Sequence, residues 1–283
     1  MYSNLKIRYF CQQKHEEIII DKTCVKEALF FMVLFKNKKI MKRLFVKGWA
    51  LLVAATAVPA VSFAQDKVEA EAGADLVSGY IWRGQDLGNV SVQPSLSVAY
   101  KGFLLSAWGS VGFEKSDTKE FDLTLGYGAG GFSVSVTDYW FSGGPAYFHY
   151  GAHNTGHTFE AQIGYDFGPV AVNWYTNFAG NVGCKSDGDK AYASYFSVSA
   201  PFKLGGLDWT AVVGATPWEN DFYTGGGNSE HPKDMIGGFA VCEVGLKAQK
   251  EVRVTRSWSL PLFAQVVWNP AVEGAYFVAG LSF

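Results

Sequence analysis

From Val90 onward the chain alternates. In "VSVQPSLSVAY", Val90, Val92, Pro94, Leu96, Val98 and Tyr100 occupy one parity, and Ser91, Gln93, Ser95, Ser97 and Ala99 the other. Period-two alternation is the pattern of a strand whose two faces meet different surroundings. It returns at 120–127, where Phe121, Leu123, Leu125 and Tyr127 alternate with Glu120, Asp122, Thr124 and Gly126, and again at 158–167 and 170–178. Similar runs cover about 68–83, 103–113, 131–141, 190–200, 207–216, 238–248, 257–268 and 274–283. Together they predict twelve strands and no amphipathic helix of useful length.

The connections alternate too. Tight Gly-rich turns fall at 101–102, 128–131, 168–169 and 203–206, between longer links at 84–89, 114–119, 142–157, 180–189 and 217–237. Glycine turns join antiparallel strands. Strands of about ten residues with short turns at one end and long loops at the other describe a transmembrane barrel. The expected fold is therefore all-β: a closed antiparallel transmembrane β-barrel of about 12 strands, with short periplasmic turns and longer extracellular loops. A soluble β-sandwich also has short alternating strands. Against it, 16% of the chain is aromatic. Tyr80, Trp82, Tyr100, Phe113, Tyr127, Tyr139, Trp140, Phe178, Trp258 and Trp268 fall near strand ends, where membrane girdles lie. Pro94 and Pro261 fall inside strands, and because proline cannot donate to a ladder they call either for bulges or for a different strand register.

The chain's start supplies the compartment. "MKRLFVKGWALLVAATAVPAVSFAQ" begins at Met41 with basic residues, continues into a short apolar stretch, and reaches Ser62-Phe63-Ala64 before Gln65. That is the layout of a secretory signal peptide, and the stretch is short for a spanning helix. Residues 1–40 are expected to be an over-extended start, 41–64 the signal peptide and 65–283 the outer-membrane barrel. Of 24 Lys+Arg and 26 Asp+Glu, 11 bases and 4 acids precede Gln65, leaving 13 against 22 and a formal charge of −9. An acidic exported chain is a poor nucleic-acid binder. Two cysteines, Cys184 and Cys242, remain after Gln65, too few for a disulfide framework.

"GADLVSGYIWRG" (Gly73 to Gly84) resembles the opening strand of the TorF-type porins, in which a small residue, Asp or Ser, an aromatic and Arg-Gly recur. "YKGFLLSAWGS" (Tyr100 to Ser110) is similar to that family's second hairpin. The resemblance covers about 40 residues and implies a barrel with porin-like transport; it carries no ligand residues with it.

Eight strands enclose a filled interior and 16 to 18 an aqueous channel, so twelve predict a narrow or partly plugged pore. The residues expected to face the lumen are Glu69, Glu71, Asp75, Glu120, Asp122, Glu160, Asp166, Asp208 and Glu243, against the bases Arg83 and Lys247. Such an acid excess would favour cations. The expected function is passive passage of small hydrophilic solutes through the outer membrane of a Gram-negative bacterium, weakly cation-preferring, without cofactor, metal or nucleic acid. Phe283 is expected to close the barrel and act as an insertion signal for the barrel-assembly machinery. Alternatives are a non-conducting structural or adhesive barrel, or an outer-membrane hydrolase acting on lipid. The last would draw on His149, His153 and His157, four residues apart in "HYGAHNTGH", or on His231. Two glycines and Asn154 in that segment argue for a solvated extracellular loop instead.

Overall fold

The computed structural model describes residues 67–115, 117, 119–151, 154–223, 237–255 and 258–283. The expectations for residues 1–40 and for the signal peptide at 41–64 lie outside them, as do His153 and His231.

After β1 (Glu69–Val77) the chain leaves the wall to form a small hairpin, β2 (Tyr80–Trp82) and β3 (Gln85–Gly88), then re-enters at β4 (Ser91–Tyr100). The wall continues through β5 (Phe103–Gly112), β6 (Glu120–Ala129), β7 (Phe132–Phe141) and β8 (His157–Asp166). It is completed by β9 (Ala171–Gly180), β10 (Ser194–Leu204), β11 (Leu207–Thr216), β12 (Ala240–Arg253), β13 (Ser259–Asn269) and β14 (Gly274–Ser282). Each wall strand pairs antiparallel with its sequence neighbours, and β14 returns to β1, closing a twelve-stranded barrel. Closure leaves no sheet edge, which is what a strand-built span in lipid requires.

The seam is short. β1 and β14 pair as Asp75↔Ser282, Leu76↔Leu281 and Val77↔Gly280. Ala74 and Phe283 extend it by exchanging backbone hydrogen bonds, and Ser78 N–H donates to the carbonyl of Ala279. The terminal phenylalanine is thus paired and its ring faces outward.

Two expectations about the wall need correction. The run 68–83 reads as one strand because Tyr80 and Trp82 continue its alternation, but β1 ends at Val77. Arg83 at φ 49° and Gly84 at φ 79° form a tight turn with two positive φ angles, the geometry that folds a two-residue hairpin back on itself. The prolines, for their part, need no bulge. Pro94 pairs with Ala74 on one side, while the β4–β5 pairing passes from Val92↔Val111 to Ser95↔Trp108 and skips it without a register shift. Pro261 pairs with Glu251 of β12 but lies one residue past the last β14 pair, at Leu262. Pro201 likewise pairs with β11 beyond the reach of β9. Pro261 and Pro201 sit where one neighbouring ladder has already ended, and Pro94 occupies a local gap in the β4–β5 ladder, so none of the three needs a register shift.

The barrel is apolar outside and polar inside. Leu96, Leu105, Leu125, Ile163, Val266 and Phe277 are exposed on the outer wall, while Gln93, Ser135, Gln162, Asn173 and Ser197 are buried on the inner one. At the rim of the short turns, Phe103 packs tilted against Tyr127 and Tyr165 against Phe167, and Phe202 stacks on Trp209. Such aromatics suit the membrane interface. Tyr80, Trp82 and Tyr139, expected in a girdle, point into the lumen instead: Trp82 packs on Tyr139, and Tyr80 on Trp108.

Candidate functional site

The lumen is the site, and the β2–β3 hairpin defines it. On one flank Ile81 packs against Val77, Phe263 and Val278, an apolar patch on the inner face of β1, β13 and β14. At the tip Arg83 reaches the opposite wall. Its guanidinium is 2% exposed and grips Glu160 of β8 with two parallel bonds, Nη1 to Oε2 at 2.5 Å and Nη2 to Oε1 at 2.8 Å. Nη1 also donates to the hydroxyl of Tyr223 at 2.8 Å. The rings of Trp82, Tyr175 and Tyr195 surround it at 4.2, 3.9 and 4.9 Å. A planar fork with a carboxylate in its plane and aromatic faces around it suits arginine and not lysine. Beside it the carbonyl of Gly84 accepts from Asn269 Nδ2 at 2.9 Å. A Cβ at Gly84 would lie 1.9 Å from the carbonyl oxygen of Cys242, so the turn needs glycine for space as well as for φ. The hairpin therefore bridges the bore.

Around this plug the inner wall is graded. Near the long-loop end Ser91, Ser110, Glu120, Asp122, Glu160, Asn177, Glu243 and Asn269 are all buried. Toward the short-turn end Ser97, Ala99, Ser106, Thr124 and Lys247 are only half-buried, and Glu69 and Asp208 are exposed. The half toward the long loops is constricted and the half toward the short turns is more open.

The expected lumen residues divide on that gradient. Glu69, Glu71 and Asp75 share the inner parity of β1, with Asp75 opposite Gln93. Asp166 and Asp208 lie by the short turns, where Asp208 pairs with Lys203 at 2.6 Å in solvent. Lys247 places its ammonium 4.0 Å over the Phe263 ring. Arg83 is in the lumen, but at the tip of the hairpin and not on a wall strand. Glu243 accepts a short hydrogen bond from the Tyr195 hydroxyl. Glu160, besides Arg83, accepts from the Tyr139 hydroxyl at 2.9 Å, so its charge is compensated and it does not act as a free fixed anion. Glu120 and Asp122 are different: Glu120 has the Tyr80 hydroxyl, and one oxygen of Asp122 is buried without a partner.

Sequence reasoning missed Tyr139, Tyr195, Tyr223 and Asn269. Parity could have found Tyr195, which takes the same parity as Ser197 and Ser199. Nothing in the sequence marks Tyr223, which enters the lumen from the loop after β11. Burial holds its hydroxyl above the usual tyrosine range despite the guanidinium beside it. In the same loop Asp221 accepts the N–H of Cys184 at 2.8 Å, and burial pushes its carboxyl up.

The histidine segment is also not wholly a solvated loop. His157 opens β8, is fully buried and belongs to the outer parity. Its Nδ1 meets Asp138 Oδ1 at 2.7 Å and its Nε2 meets the carbonyl of Tyr147. The Tyr150 ring stacks on it at 4.1 Å, strapping the loop after β7 against the wall. The carboxylate that meets His157 belongs to a neighbouring strand, which spacing within the segment does not reveal. With both nitrogens engaged, this imidazole has none left to serve a nucleophile.

No protein-family model matches the chain, and no curated protein matches it. Among solved structures it is similar to the KdgM porin, at a TM-score of 0.39 and 8% identity, over 77% of this chain and 98% of that one. It is also similar to the outer-membrane protein OprD of Pseudomonas aeruginosa, at 0.31 and 12%, over 76% of this chain and 64% of that one. At these identities and scores the likeness adds nothing to what the closed sheet itself shows, and the functional reading rests on the chain's own residues.

Proposed function

We propose that the chain is an outer-membrane channel of a Gram-negative bacterium, passing small hydrophilic solutes through a bore narrowed by the β2–β3 hairpin and preferring cations. The observation that carries this is the inverted barrel, apolar outside and lined inside by carboxylates, amides and hydroxyls. A wall of that kind hydrates its interior, and fixed charge in a low-dielectric tube focuses the field on a passing ion. The preference is assigned to Glu120 and Asp122 at the constriction and to Glu71 and Asp75 below it, since Glu160 is held by Arg83. Phe283 serves as the closing residue read by the assembly machinery, a role supported by its place at the end of the strand that pairs with β1.

The filled extracellular half favours one other reading, a barrel that is structural and does not conduct. Liposome swelling separates the two. Vesicles carrying the protein should swell in isotonic ammonium or small-sugar solutions and more slowly in solutions of organic anions of equal size. Swelling no faster than in empty vesicles would favour the structural barrel.

A further inference from the structure

Among the described residues the lumen has two groupings of carboxylate and aromatic rings, and a basic side chain ion-pairs with the carboxylate of the first alone. In the first, the Arg83 guanidinium sits against Glu160 among Trp82, Tyr175 and Tyr195. The second adjoins it on β5 and β6, where Asp122 is the register partner of Tyr139. There Glu120 and Asp122 stand two residues apart on the inner face, and Trp108 is the register partner of Asp122. The Tyr80 ring packs on Trp108 at 5.5 Å, and its hydroxyl bonds Glu120. Asp122 is 8% exposed, and its Oδ1 has no hydrogen-bond partner. No Lys or Arg forms an ion pair with either carboxylate among the described residues.

A buried carboxylate oxygen with no partner carries a desolvation cost that a cation can remove. Aromatic faces alongside suit an organic cation better than a metal ion, because the ring quadrupole attracts diffuse positive charge while carbon groups fill the apolar space. The first cage shows the chain using the same chemistry on its own guanidinium. We propose that Glu120, Asp122, Tyr80 and Trp108 form a binding site for a small organic cation, an alkylammonium or guanidinium group, at the constriction. This rests on the channel reading above and names the class of solute that the channel holds on its way through.

The test uses the whole protein folded in detergent, with tetramethylammonium chloride as the probe and KCl at equal ionic strength as the control. Binding is read by the fluorescence of Trp108, isolated as the difference between wild type and W108F. The expected result is a saturable change with tetramethylammonium and none with KCl, with the half-saturating concentration raised at least about tenfold in Asp122→Asn and in Glu120→Gln. Each variant is first shown to be folded by its heat-modifiable migration. No saturable change in wild type, or the same midpoint in both folded variants, would overturn the site, including the case in which the two carboxyls simply carry protons. Since the readout needs no current, binding without conductance would refute the channel and leave the site standing. Conductance without binding would do the reverse.

Discussion

Replacing Arg83 by alanine should release the hairpin from the far wall. The side chain is the tip's main polar anchor: two bonds to Glu160, one to Tyr223 and three ring faces within 4.9 Å. Its loss leaves the Glu160 carboxylate, 2% exposed, with the Tyr139 hydroxyl but no counter-charge. Removing one partner of a buried ion pair costs about 3–5 kcal/mol, much of it the stranded charge. Backbone hydrogen exchange at residues 80–88 reads local opening directly. If half of that cost or more falls on hairpin docking, exchange there should quicken by about tenfold at least and by on the order of 10³-fold at most, at about tenfold per 1.4 kcal/mol. Amides in the β5–β7 ladder should be unaffected. Replacing the pair together, as Arg83→Met with Glu160→Leu, should recover most of the protection, because a well-packed apolar pair avoids the stranded charge. Exchange in Arg83→Ala equal to wild type would refute the latch.

Gly84→Ala should act like Arg83→Ala through sterics alone, since its Cβ meets the Cys242 carbonyl at 1.9 Å and the φ of 79° is strained for any side chain; proteolysis of the hairpin in folded protein checks it. Deleting Phe283, or replacing it by Asp, removes the ring and, in the deletion, the backbone exchange with Ala74 as well. Outer-membrane fractions should then lack the heat-modifiable form while synthesis and export continue. Neutralising Glu120 and Asp122 together should lower cation over anion selectivity, more at 0.01 M than at 1 M salt, where the screening length falls from about 30 Å to 3 Å. Glu160→Gln should shift selectivity less, because Arg83 already compensates it. N-terminal sequencing of membrane-extracted protein should begin at Gln65; a start before Met41 would contradict the signal peptide.

What was legible in the sequence follows from where information is local. Alternation is local, so twelve strands and their inner and outer faces could be read residue by residue, and Glu120 and Asp122 fell on the right face. The hairpin was hidden because its residues keep the parity of β1. The chain leaves the wall between Val77 and Tyr80 and folds back at the positive φ angles of Arg83 and Gly84, and Arg-Gly is a weak signal for that turn beside Asn-Gly. Partners across the bore were not legible at all. Glu160 meets Arg83 from 77 residues away and Tyr223 meets it from 140, distances that no periodicity records. The acid excess was countable, but which acids remain uncompensated is a property of the folded lumen.

The central claim is a hydrated cation path past the hairpin, and single-channel recording in a planar bilayer tests it most directly. Under a KCl gradient the wild-type protein should give discrete conductance steps with a reversal potential on the cation side, larger in Arg83→Ala than in wild type. A folded, inserted protein that passes no current in either form would contradict the account.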